Sequence, residues 1–403
     1  MTILSGKHLL LGVTGSIAAY KAAELASRLT QQGALVDVIL TSGAQQFVTA
    51  LTYQSVTGRK AFTSDDLWGG EAHILHVGLG HRADLLVIAP CTANTLAKLA
   101  HGLADNLLTV TALAMSGSIL VAPAMDAGMY EHPATQQNAR VLRERGVLFA
   151  GPASGRMASG LSGPGRMLEP AELLGHIRLA LARNGRLAGR RVVVTAGGSQ
   201  EPIDPVRYIS NRSSGKQGYA LAQAALEAGA AVRLISHPTG LAPVVGAELV
   251  EVRSADEMLQ AVLDACQDAD ALVMAAAVAD FQVKNVAGHK LKKRDGIPLI
   301  ELKAAPDILG AVAQARETLK KLKVVVGFAA ESRDLVENAT AKLASKQLDF
   351  IAANDISATD AGFAVDTNRI TLLSADGARE VLPLMGKDEA AQIIIERVAA
   401  LLE

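Results

Sequence analysis

Two patterns of hydrophobic residues alternate along this 403-residue chain. Short apolar runs, such as His8 to Val13 and Leu35 to Leu40, predict buried strands. The run from Thr14 to Gly33 between them predicts a helix that Gly33 ends, with one apolar face. The order of strand, turn and helix returns after Arg190, beginning with the β-branched run from Arg191 to Thr195. This alternation predicts the α/β class, with two doubly wound, Rossmann-like parallel-sheet domains.

Further elements of each half follow from the same pattern. The run from Pro170 to Arg183 predicts a helix, and Asn184 to Gly189 suggests a linker, so the domains are expected at 1–184 and 190–403. Residues 151–166 are rich in glycine and proline and predict an irregular, mobile flap. Other predicted strands are Leu85–Ala89, Ser118–Ala122, Val147–Ala150, Ala271–Ala275, Lys323–Phe328, Phe350–Ala353 and Ile370–Leu373.

Composition narrows the class of protein. Half of the residues are hydrophobic and 20% are charged, which allows large cores without a membrane segment. A net charge of −1 and only 3% aromatic residues argue against nucleic-acid binding. Two cysteines, Cys91 and Cys266, do not form a disulfide framework and fit a reducing compartment. The apolar run after Lys7 is too short for a signal peptide, so we expect a cytoplasmic protein.

The glycine-containing turns alone do not identify a ligand. Neither half contains G-x-G-x-x-G or G-x-x-x-x-G-K-[ST], so the ordinary dinucleotide and P-loop fingerprints are missing. The stretch from 190 to 222 is more informative. Ser213 and Ser214 are expected to cap a helix there, and Gly215 and Gly218 would let an anion approach its N-terminus.

Longer motifs carry a resemblance to known families. The first half contains GSIAAYK (15–21), ADNLL (104–108), PAMDAGMYEHPAT (123–135) and GRMASGLSGPGRM (155–167), and it resembles the flavin-dependent cysteine decarboxylases, specifically phosphopantothenoylcysteine decarboxylase. The second half contains TAGGSQEPIDPVRYISNRSSGKQG, AAAVADF, HKLKK, GFAAES and ANDIS, and it resembles phosphopantothenate–cysteine ligase. The order of the motifs is similar to that of the bacterial bifunctional enzymes of coenzyme A synthesis.

The resemblance implies an FMN site in the first half. His76 matches the family's catalytic histidine. A metal held by His73, His76 and His81 is the competing interpretation, but it lacks a carboxylate or cysteine partner at matching spacing. Gly15 and Ser16 would hold the FMN phosphate, and Ser42, Thr92, Asn94 and Thr95 would contact the flavin and its ribityl chain.

Two positions depart from the decarboxylase pattern. Asp126 stands where the pattern has asparagine, and Ser159 stands where it has cysteine. An ionised Asp126 would repel a substrate carboxylate unless it is protonated or turned away, and an alcohol is a poorer proton donor than a thiol. Cys91 is either a substitute proton donor or a buried structural residue. Arg156 and Arg166 are either substrate contacts or solvated charges.

For the second half, the resemblance implies activation of a carboxylic acid by CTP. Asn211 would stabilise the acyl-cytidylate, and Lys290 would act within a cationic lid beside Lys292, Lys293 and Arg294. Asp280 would face the Mg²⁺ region. The other expected CTP contacts are Ala275, Ala276, Ala277, Pro306, Asp307, Ile308, Leu309, Phe328, Lys342 and Lys346, the last two one helical turn apart.

Together these expectations describe a bifunctional enzyme with small-molecule substrates. It would join 4′-phosphopantothenate to cysteine with CTP and then decarboxylate the product with FMN. One alternative is a ligase whose flavin domain serves only assembly or regulation, because of Asp126 and Ser159. A second alternative, an NAD-dependent dehydrogenase, rests only on the glycine turns. The resemblance also implies a homo-oligomer built from flavin-domain trimers and ligase-domain dimers.

Overall fold

The computed structural model describes residues 2–68, 74–156, 160–331, 333–355 and 365–403. The chain divides into two compact units, Met1–Arg183 and Asn184–Glu403. In the described residues no helix is both long and apolar enough to cross a membrane.

The first unit is a six-stranded sheet wrapped by helices. Its strands are β1 (His8–Val13), β2 (Leu35–Leu40), β3 (Ala61–Thr63), β4 (Leu85–Cys91), β5 (Ser118–Pro123) and β6 (Leu148–Phe149), followed by β7 (Ala153–Arg156) and β8 (Ser162–Arg166) outside the sheet. Its helices are α1 (Ala19–Gln31), α2 (Ala50–Thr57), α3 (Leu75–Arg82), α4 (Ala93–His101), α5 (Leu107–Leu113), α6 (Ala127–Glu131), α7 (Pro133–Glu144) and α8 (Pro170–Ala182).

All six strands of this sheet are parallel, in the order β3-β2-β1-β4-β5-β6. Side chains alternate between its faces. Leu9 and Leu11 of β1 enter a core with α1 and α8, whereas Leu10 enters a second core with α3, α4, α5 and α7. Because both faces are covered, the strands are mostly apolar, with Asp37 of β2 as a buried exception, and the sequence pattern predicts five of the six.

The glycine-rich segment 151–166 is not an irregular flap. Its described residues form the antiparallel pair β7–β8, so the expectation of a segment without regular structure is wrong. Gly163 and Gly165 hold β8 against the start of α6: a Cβ on Gly165 would lie 2.3 Å from the Met125 carbonyl oxygen, and one on Gly163 would lie 2.8 Å from Ala127 Cβ. Glycine therefore serves close packing here.

The second unit contains a larger sheet. Its strands are β9 (Arg191–Ala196), β10 (Gln200–Pro202), β11 (Tyr208–Ser210), β12 (Ala231–Ser236), β13 (Glu248–Glu251), β14 (Ala271–Met274), β15 (Phe281–Val283), β16 (Leu302–Ala304), β17 (Val324–Glu331), β18 (Phe350–Asp355), β19 (Thr367–Asn368), β20 (Ile370–Ser374), β21 (Arg379–Val381) and β22 (Met385–Gly386). Its helices are α9 (Lys216–Glu227), α10 (Ala255–Cys266), α11 (Ile308–Ala315), α12 (Leu335–Ser345) and α13 (Lys387–Leu402).

The order of this sheet is β13-β12-β9-β14-β17-β18-β20-β21. Six strands are parallel, but β20 and β21 run antiparallel at one edge, so Ile370–Leu373 is a strand as expected but not a parallel one. Helices α10, α11 and α12 share a core on one face of the sheet. The two sheets confirm the expected class of two doubly wound, Rossmann-like domains.

The helix expected near Ser213 and Ser214 begins slightly later. Gly215 occupies the N-cap of α9 and makes no side-chain cap hydrogen bond, so the expectation that one of the two serines is the N-cap residue is wrong. Gly215 has φ +77°, a conformation that favours glycine, and a Cβ on Gly218 would lie 2.7 Å from the Thr195 carbonyl oxygen. Both glycines bring α9 close to the end of β9.

Two glycines of α3 provide a matched test of the packing of the first unit. A Cβ on Gly80 would lie 2.7 Å from the Ala114 carbonyl oxygen, whereas a Cβ on Gly78 would meet nothing within 4 Å. We expect Gly80→Ala to lower the free energy of unfolding by about 1–3 kcal/mol through overpacking. Gly78→Ala should raise it by about 0.5–1 kcal/mol.

The measurement is differential scanning calorimetry of the whole chain, in which 1 kcal/mol shifts the transition of a unit of this size by about 2–4 °C. Equal shifts for the two variants would contradict the close approach of α3 to Ala114.

Candidate functional sites

In the first unit, the expected FMN residues lie at the carboxyl ends of parallel strands. Gly15 and Ser16 follow β1, Ser42 follows β2, and Thr92 follows β4, while Asn94 and Thr95 lie in the first turn of α4. Neighbouring parallel strands end at the same edge, so the sheet brings these loops together. Of the side chains, Ser42 and Asn94 are exposed.

The loops after β1 and β2 touch backbone to backbone. A Cβ on Gly15 would lie 3.0 Å from the Gly43 carbonyl carbon. The loop after β4 is tied to the same place by a buried threonine: Thr14 Oγ1 donates to the Pro90 carbonyl at 2.7 Å and accepts from the Thr92 N–H at 3.1 Å. Thr92 in turn caps α4 by accepting from the Thr95 N–H. The loops after β1, β2 and β4 therefore form a compact edge of the sheet built from small residues.

His76 lies in the first turn of α3. Its side chain is half-buried, and its enclosed Nδ1 has no hydrogen-bond partner in the part of the chain that is described. His81 is exposed at the other end of the same helix, and His73 lies outside the described residues. In the described part of the chain, no group of three or more metal-ligating side chains occurs.

The Asp126 carboxylate accepts a hydrogen bond from the nearby backbone. It is the N-cap of α6, and its Oδ1 accepts from the Gly128 N–H at 3.0 Å. The Met125 N–H donates to the Gly165 carbonyl at 3.0 Å, so the β7–β8 hairpin lies beside this turn. Ser159, which falls between the two strands in the sequence, lies outside the described residues.

The base of the hairpin is fixed by an ion-pair cluster. Glu169 accepts from Lys21 at 2.7 Å and from Arg166 at 3.3 Å, and it also caps α8. Lys21 is only 12% exposed. No role was predicted for it, although it is the last residue of the motif GSIAAYK. Arg166 is therefore paired within the protein, while Arg156 is exposed on β7.

Cys91 is the last residue of β4 rather than part of the following loop. It is fully buried in the core, and burial raises the pKa of its thiol. Such a thiol holds its proton and does not exchange it readily at neutral pH. The structure therefore supports the structural interpretation of Cys91.

In the second unit, a cavity of about 570 Å³ opens at the carboxyl ends of the strands. Asn211 lines it, together with every expected CTP contact except Lys290. Those contacts are Ala275, Ala276, Ala277, Asp280, Pro306, Asp307, Ile308, Leu309, Phe328, Lys342 and Lys346.

Asn211 is held between the loops that follow β9 and β14. Its Nδ2 donates to the Ala277 carbonyl, and its Oδ1 accepts from the Ser213 N–H at 3.2 Å. The two loops also pair directly, because the Ala277 N–H donates to the Gly197 carbonyl at 2.8 Å. A Cβ on Gly198 would lie 2.2 Å from Asn211 Oδ1, so only glycine leaves room for this amide.

Two lysines of α12 enter the cavity from the same side, as their spacing predicts. Lys342 donates to the Phe328 carbonyl at 2.8 Å, and Lys346 pairs with Asp307, the N-cap of α11. Burial lowers the pKa of Lys342, and neighbouring carboxylates only partly oppose this. Burial alone would raise the pKa of Asp307, but hydrogen bonds from Lys346 and the Gly310 N–H lower it.

Lys290 is exposed and does not line the cavity. Its neighbour Leu291 is anchored, because the Leu291 N–H donates to Asp204 at 3.1 Å and Arg207 donates to the Leu291 carbonyl at 2.9 Å. The Arg207 guanidinium, with three backbone N–H groups, holds the pKa of Asp204 well below its usual range. Residues 293–295 form a short 3-10 turn. The described structure thus fixes one end of this cationic loop beside β10 and β11.

Several cavity residues were not expected from the sequence, among them the polar residues Gln217, Asn354, Asn368 and Lys387. Gln217 lies in the SNRSSGKQG stretch and Asn354 in the ANDIS motif, but the sequence analysis predicted no role for either residue. Gln217 and Asn368 are 151 residues apart, and their contact arises only in the folded chain.

Comparison with known proteins assigns both halves to families. The family described as Flavoprotein matches residues 2–181, and the family described as DNA/pantothenate metabolism flavoprotein C-terminal domain matches residues 187–402. Among solved structures, the C-terminal domain of a coenzyme A biosynthesis bifunctional protein CoaBC is 37% identical, with a TM-score of 0.46, covering 54% of this chain and 98% of its own.

Two relatives match along nearly the whole chain. The coenzyme A biosynthesis bifunctional protein CoaBC of Bacillus subtilis is 43% identical over 99% of this chain and 98% of its own length. The protein of the same name from Vibrio cholerae is 44% identical over 99% of both chains. On that identity and coverage, the chain belongs to the CoaBC family of bifunctional coenzyme A biosynthesis proteins.

Proposed function

We propose that the chain makes 4′-phosphopantetheine for coenzyme A in two reactions. Residues 190–403 join 4′-phosphopantothenate to cysteine with CTP, and residues 1–184 decarboxylate the resulting 4′-phosphopantothenoylcysteine with FMN. The observation that carries the proposal is the cavity of the second unit, which gathers Asn211 and eleven of the twelve expected CTP contacts, leaving out only Lys290. The near full-length likeness to proteins named as bifunctional supports the presence of both activities.

The ligase step is an acyl transfer in two stages. The carboxylate of the acid bonds to the α-phosphorus of CTP and pyrophosphate leaves. The amine of cysteine then bonds to the acyl carbon, loses a proton and displaces CMP. Lys342 and Lys346 offer charge to the phosphates, and the Asn211 amide lies beside the backbone of Ala277, where a donor can stabilise an acyl oxygen.

A divalent cation fits the same cavity with help from the nucleotide. Mg²⁺ commonly binds through one or two carboxylates together with substrate phosphates. Asp280 and Asp307 both line the cavity, and Asp280 is exposed. We propose Asp280 as the protein ligand and Lys290 as a residue that joins from its loop when substrates are bound.

The edge of the first sheet fits FMN. The contact of Gly15 with Gly43 leaves a cradle of backbone that a Cβ would fill, and the hydroxyl and amide groups of Ser42 and Asn94 stand exposed beside it. Bound FMN supplies reversible two-electron oxidation of the cysteinyl thiol. Gly15, Ser16, Ser42, Thr92, Asn94 and Thr95 would bind and orient it.

The remaining decarboxylase residues handle the substrate. His76 has an enclosed Nδ1 without a partner among the described residues, so it fits a proton-transfer role once substrate is present. One carboxylate oxygen of Asp126 caps α6, so part of the carboxylate charge lies against a backbone N–H. We propose that it orients the substrate in this state and that Ser159 takes the place of the family's cysteine.

A ligase with a silent flavin domain is not favoured, because the relatives are named as bifunctional over the same length. We extend the family expectation to a cytoplasmic homo-oligomer with flavin-domain trimers and ligase-domain dimers.

The deciding experiment supplies 4′-phosphopantothenate, cysteine, CTP and Mg²⁺ to the purified, FMN-loaded chain and resolves the products by mass. We expect CMP, CO2 and 4′-phosphopantetheine. Asn211→Ala should lower the ligase kcat by about 10²–10³, yet CO2 release from added 4′-phosphopantothenoylcysteine should persist. Asn285→Ala, at an exposed asparagine of the same domain, is the control. Wild-type protein that forms no CMP would overturn the ligase assignment.

Asp126→Asn tests how the charge at the start of α6 affects decarboxylation. Asparagine caps a helix as well as aspartate does, so the fold should be retained. Two like charges 4 Å apart near a surface repel by about 4 kcal/mol, and removal of even a third of this would raise kcat/KM for 4′-phosphopantothenoylcysteine on the order of tenfold. Glu131→Gln, in the same helix, is the charge-matched control. A fall in kcat/KM would show that the carboxylate itself is needed.

The lowered pKa of Lys342 predicts an alkaline limb in the ligase rate. Burial disfavours the charged ammonium, so the proton is lost at a lower pH than the ordinary lysine value of about 10.4. We expect kcat/KM for CTP to fall as pH rises through that pKa. Lys342→Arg keeps its charge and should move the fall to higher pH, while Lys320→Arg, at an exposed lysine, should not. Identical profiles for all three proteins would exclude Lys342 as the titrating group.

A further inference from the structure

The loop that carries Lys290 starts and ends at the cavity of the second unit. This loop, residues 284–301, connects the antiparallel strands β15 and β16. Below the two strands, the Ala305 N–H donates to the Asp280 carbonyl at 2.9 Å, and both of these residues line the cavity. The position of the loop is therefore fixed at its base by the cavity wall.

Two hydrogen bonds fix the middle of the loop to the turn between β10 and β11, residues 203–207. The Ala287 N–H donates to the Ile203 carbonyl at 3.0 Å, and the Leu291 N–H donates to the Asp204 carboxylate at 3.1 Å. Three exposed residues lie between these two contacts, and Lys290 is the last of them. We call these three residues, 288–290, the tip; both of its ends are held by the same turn.

The Asp204 carboxylate divides its two oxygens between the turn and the loop. Oδ1 accepts from the Val206 N–H at 2.8 Å and from the Arg207 N–H at 2.9 Å, which fixes the turn. Oδ2 accepts from the Leu291 N–H and from Arg207 Nε at 3.0 Å. Asp204 is only 3% exposed, so donors of the protein replace water around its charge.

Arg207 completes the attachment of Leu291. Its guanidinium donates to Asp204 and also to the Leu291 carbonyl at 2.9 Å, so one ion pair holds both backbone groups of a single loop residue. We call the ion pair of Asp204 and Arg207, together with the Leu291 backbone, the Leu291 clamp. Hydrogen bonds to charged groups are stronger than neutral ones, so the clamp holds the tip more firmly than the contact at Ala287 does.

The same hairpin also carries Asn211. This residue directly follows β11, and three residue pairs join β10 to β11 between it and the turn. Its amide donates to the Ala277 carbonyl at the cavity. One short hairpin therefore sets the position of Asn211 at its base and, through the clamp, the position of Lys290 at its turn.

We propose that Asp204 is a positioning residue of the ligase, which acts through Leu291 to hold Lys290 where the acyl transfer needs its charge. The inference rests on the proposed ligase activity and on the role given there to Lys290. Asp204 itself touches no substrate in this assignment. Without the clamp, only the contact at Ala287 would remain of the two, and the tip would no longer be held on the side of Lys290.

Asp204→Asn breaks the clamp and spares the turn. Asparagine still offers Oδ1 to the turn, where it is a common residue, but its Nδ2 cannot accept from Leu291 or Arg207. Because a misplacement of about 1 Å can cost about a hundredfold in rate, we expect the ligase kcat to fall on the order of ten- to a hundredfold, with little change in KM for CTP. Asp264→Asn is the matched control, since that carboxylate accepts from Gln260 on the exposed side of α10.

A cycle with Lys290→Met distinguishes positioning from a general loss of structure. If Asp204 acts through Lys290, kcat of the double variant should equal that of Lys290→Met alone, because the two losses should not multiply. Hydrogen exchange of a peptide that covers residues 286–292 reports on the clamp directly. Exchange at Leu291 should be faster in Asp204→Asn and unchanged in Asp264→Asn.

The outcomes separate this inference from the proposed function. Wild-type protein that forms no CMP would overturn the ligase function itself. With an active wild type, losses that multiply in the cycle, or an unchanged exchange rate at Leu291, would overturn only the role of Asp204. A Lys290→Met variant that keeps the wild-type kcat would overturn it as well, because Asp204 would then have no residue to position.

Discussion

The parallel pairing of β9 with β14 continues beyond the ends of the strands, and the cavity of the second unit depends on that continuation. A β-bridge joins Gly198 to Ala277, and the Asn211 amide donates a hydrogen bond to the Ala277 carbonyl. The loops that follow β9 and β14 therefore stay paired through their backbone groups, and the cavity opens beside them at the edge of the sheet. Glycine at 198 is required because Asn211 occupies the space of a side chain. The position of Asn211 is therefore set by backbone geometry.

The regular part of the fold follows directly from the sequence. Strands β1 and β2 have the bounds that their apolar runs predict, because a parallel strand covered on both faces is mostly apolar, and the one buried charge, Asp37, lies inside β2 and not at its end. The hairpin β7–β8 was missed for the opposite reason. Its sequences, ASGR and SGPGR, have low strand propensity, and the pairing depends on close packing of Gly163 and Gly165 against α6.

The sequence predicts site residues well where they come directly after a strand or recur at helical spacing. Lys342 and Lys346 reach one cavity because residues four apart share a helix face. The hydrogen bonds that link Gln217, Asn368 and Asn354 were not predictable, since tertiary structure alone joins these residues and they resemble ordinary polar residues in sequence. Lys290 shows the converse: its motif is evident, but its exposed side chain does not line the cavity.

The two units use the N-terminus of a helix in different ways. At α6 the Asp126 carboxylate already accepts a backbone N–H, so the start of that helix is partly satisfied by the chain's own negative charge. At α9 the N-cap residue is Gly215, which has no side chain to accept a backbone N–H, and Lys216 and Lys387 line the cavity beside it. A capped N-terminus attracts a substrate carboxylate weakly, whereas an uncapped one retains its donors for a ligand. The two helix starts therefore differ in whether the N-cap residue itself accepts a backbone N–H.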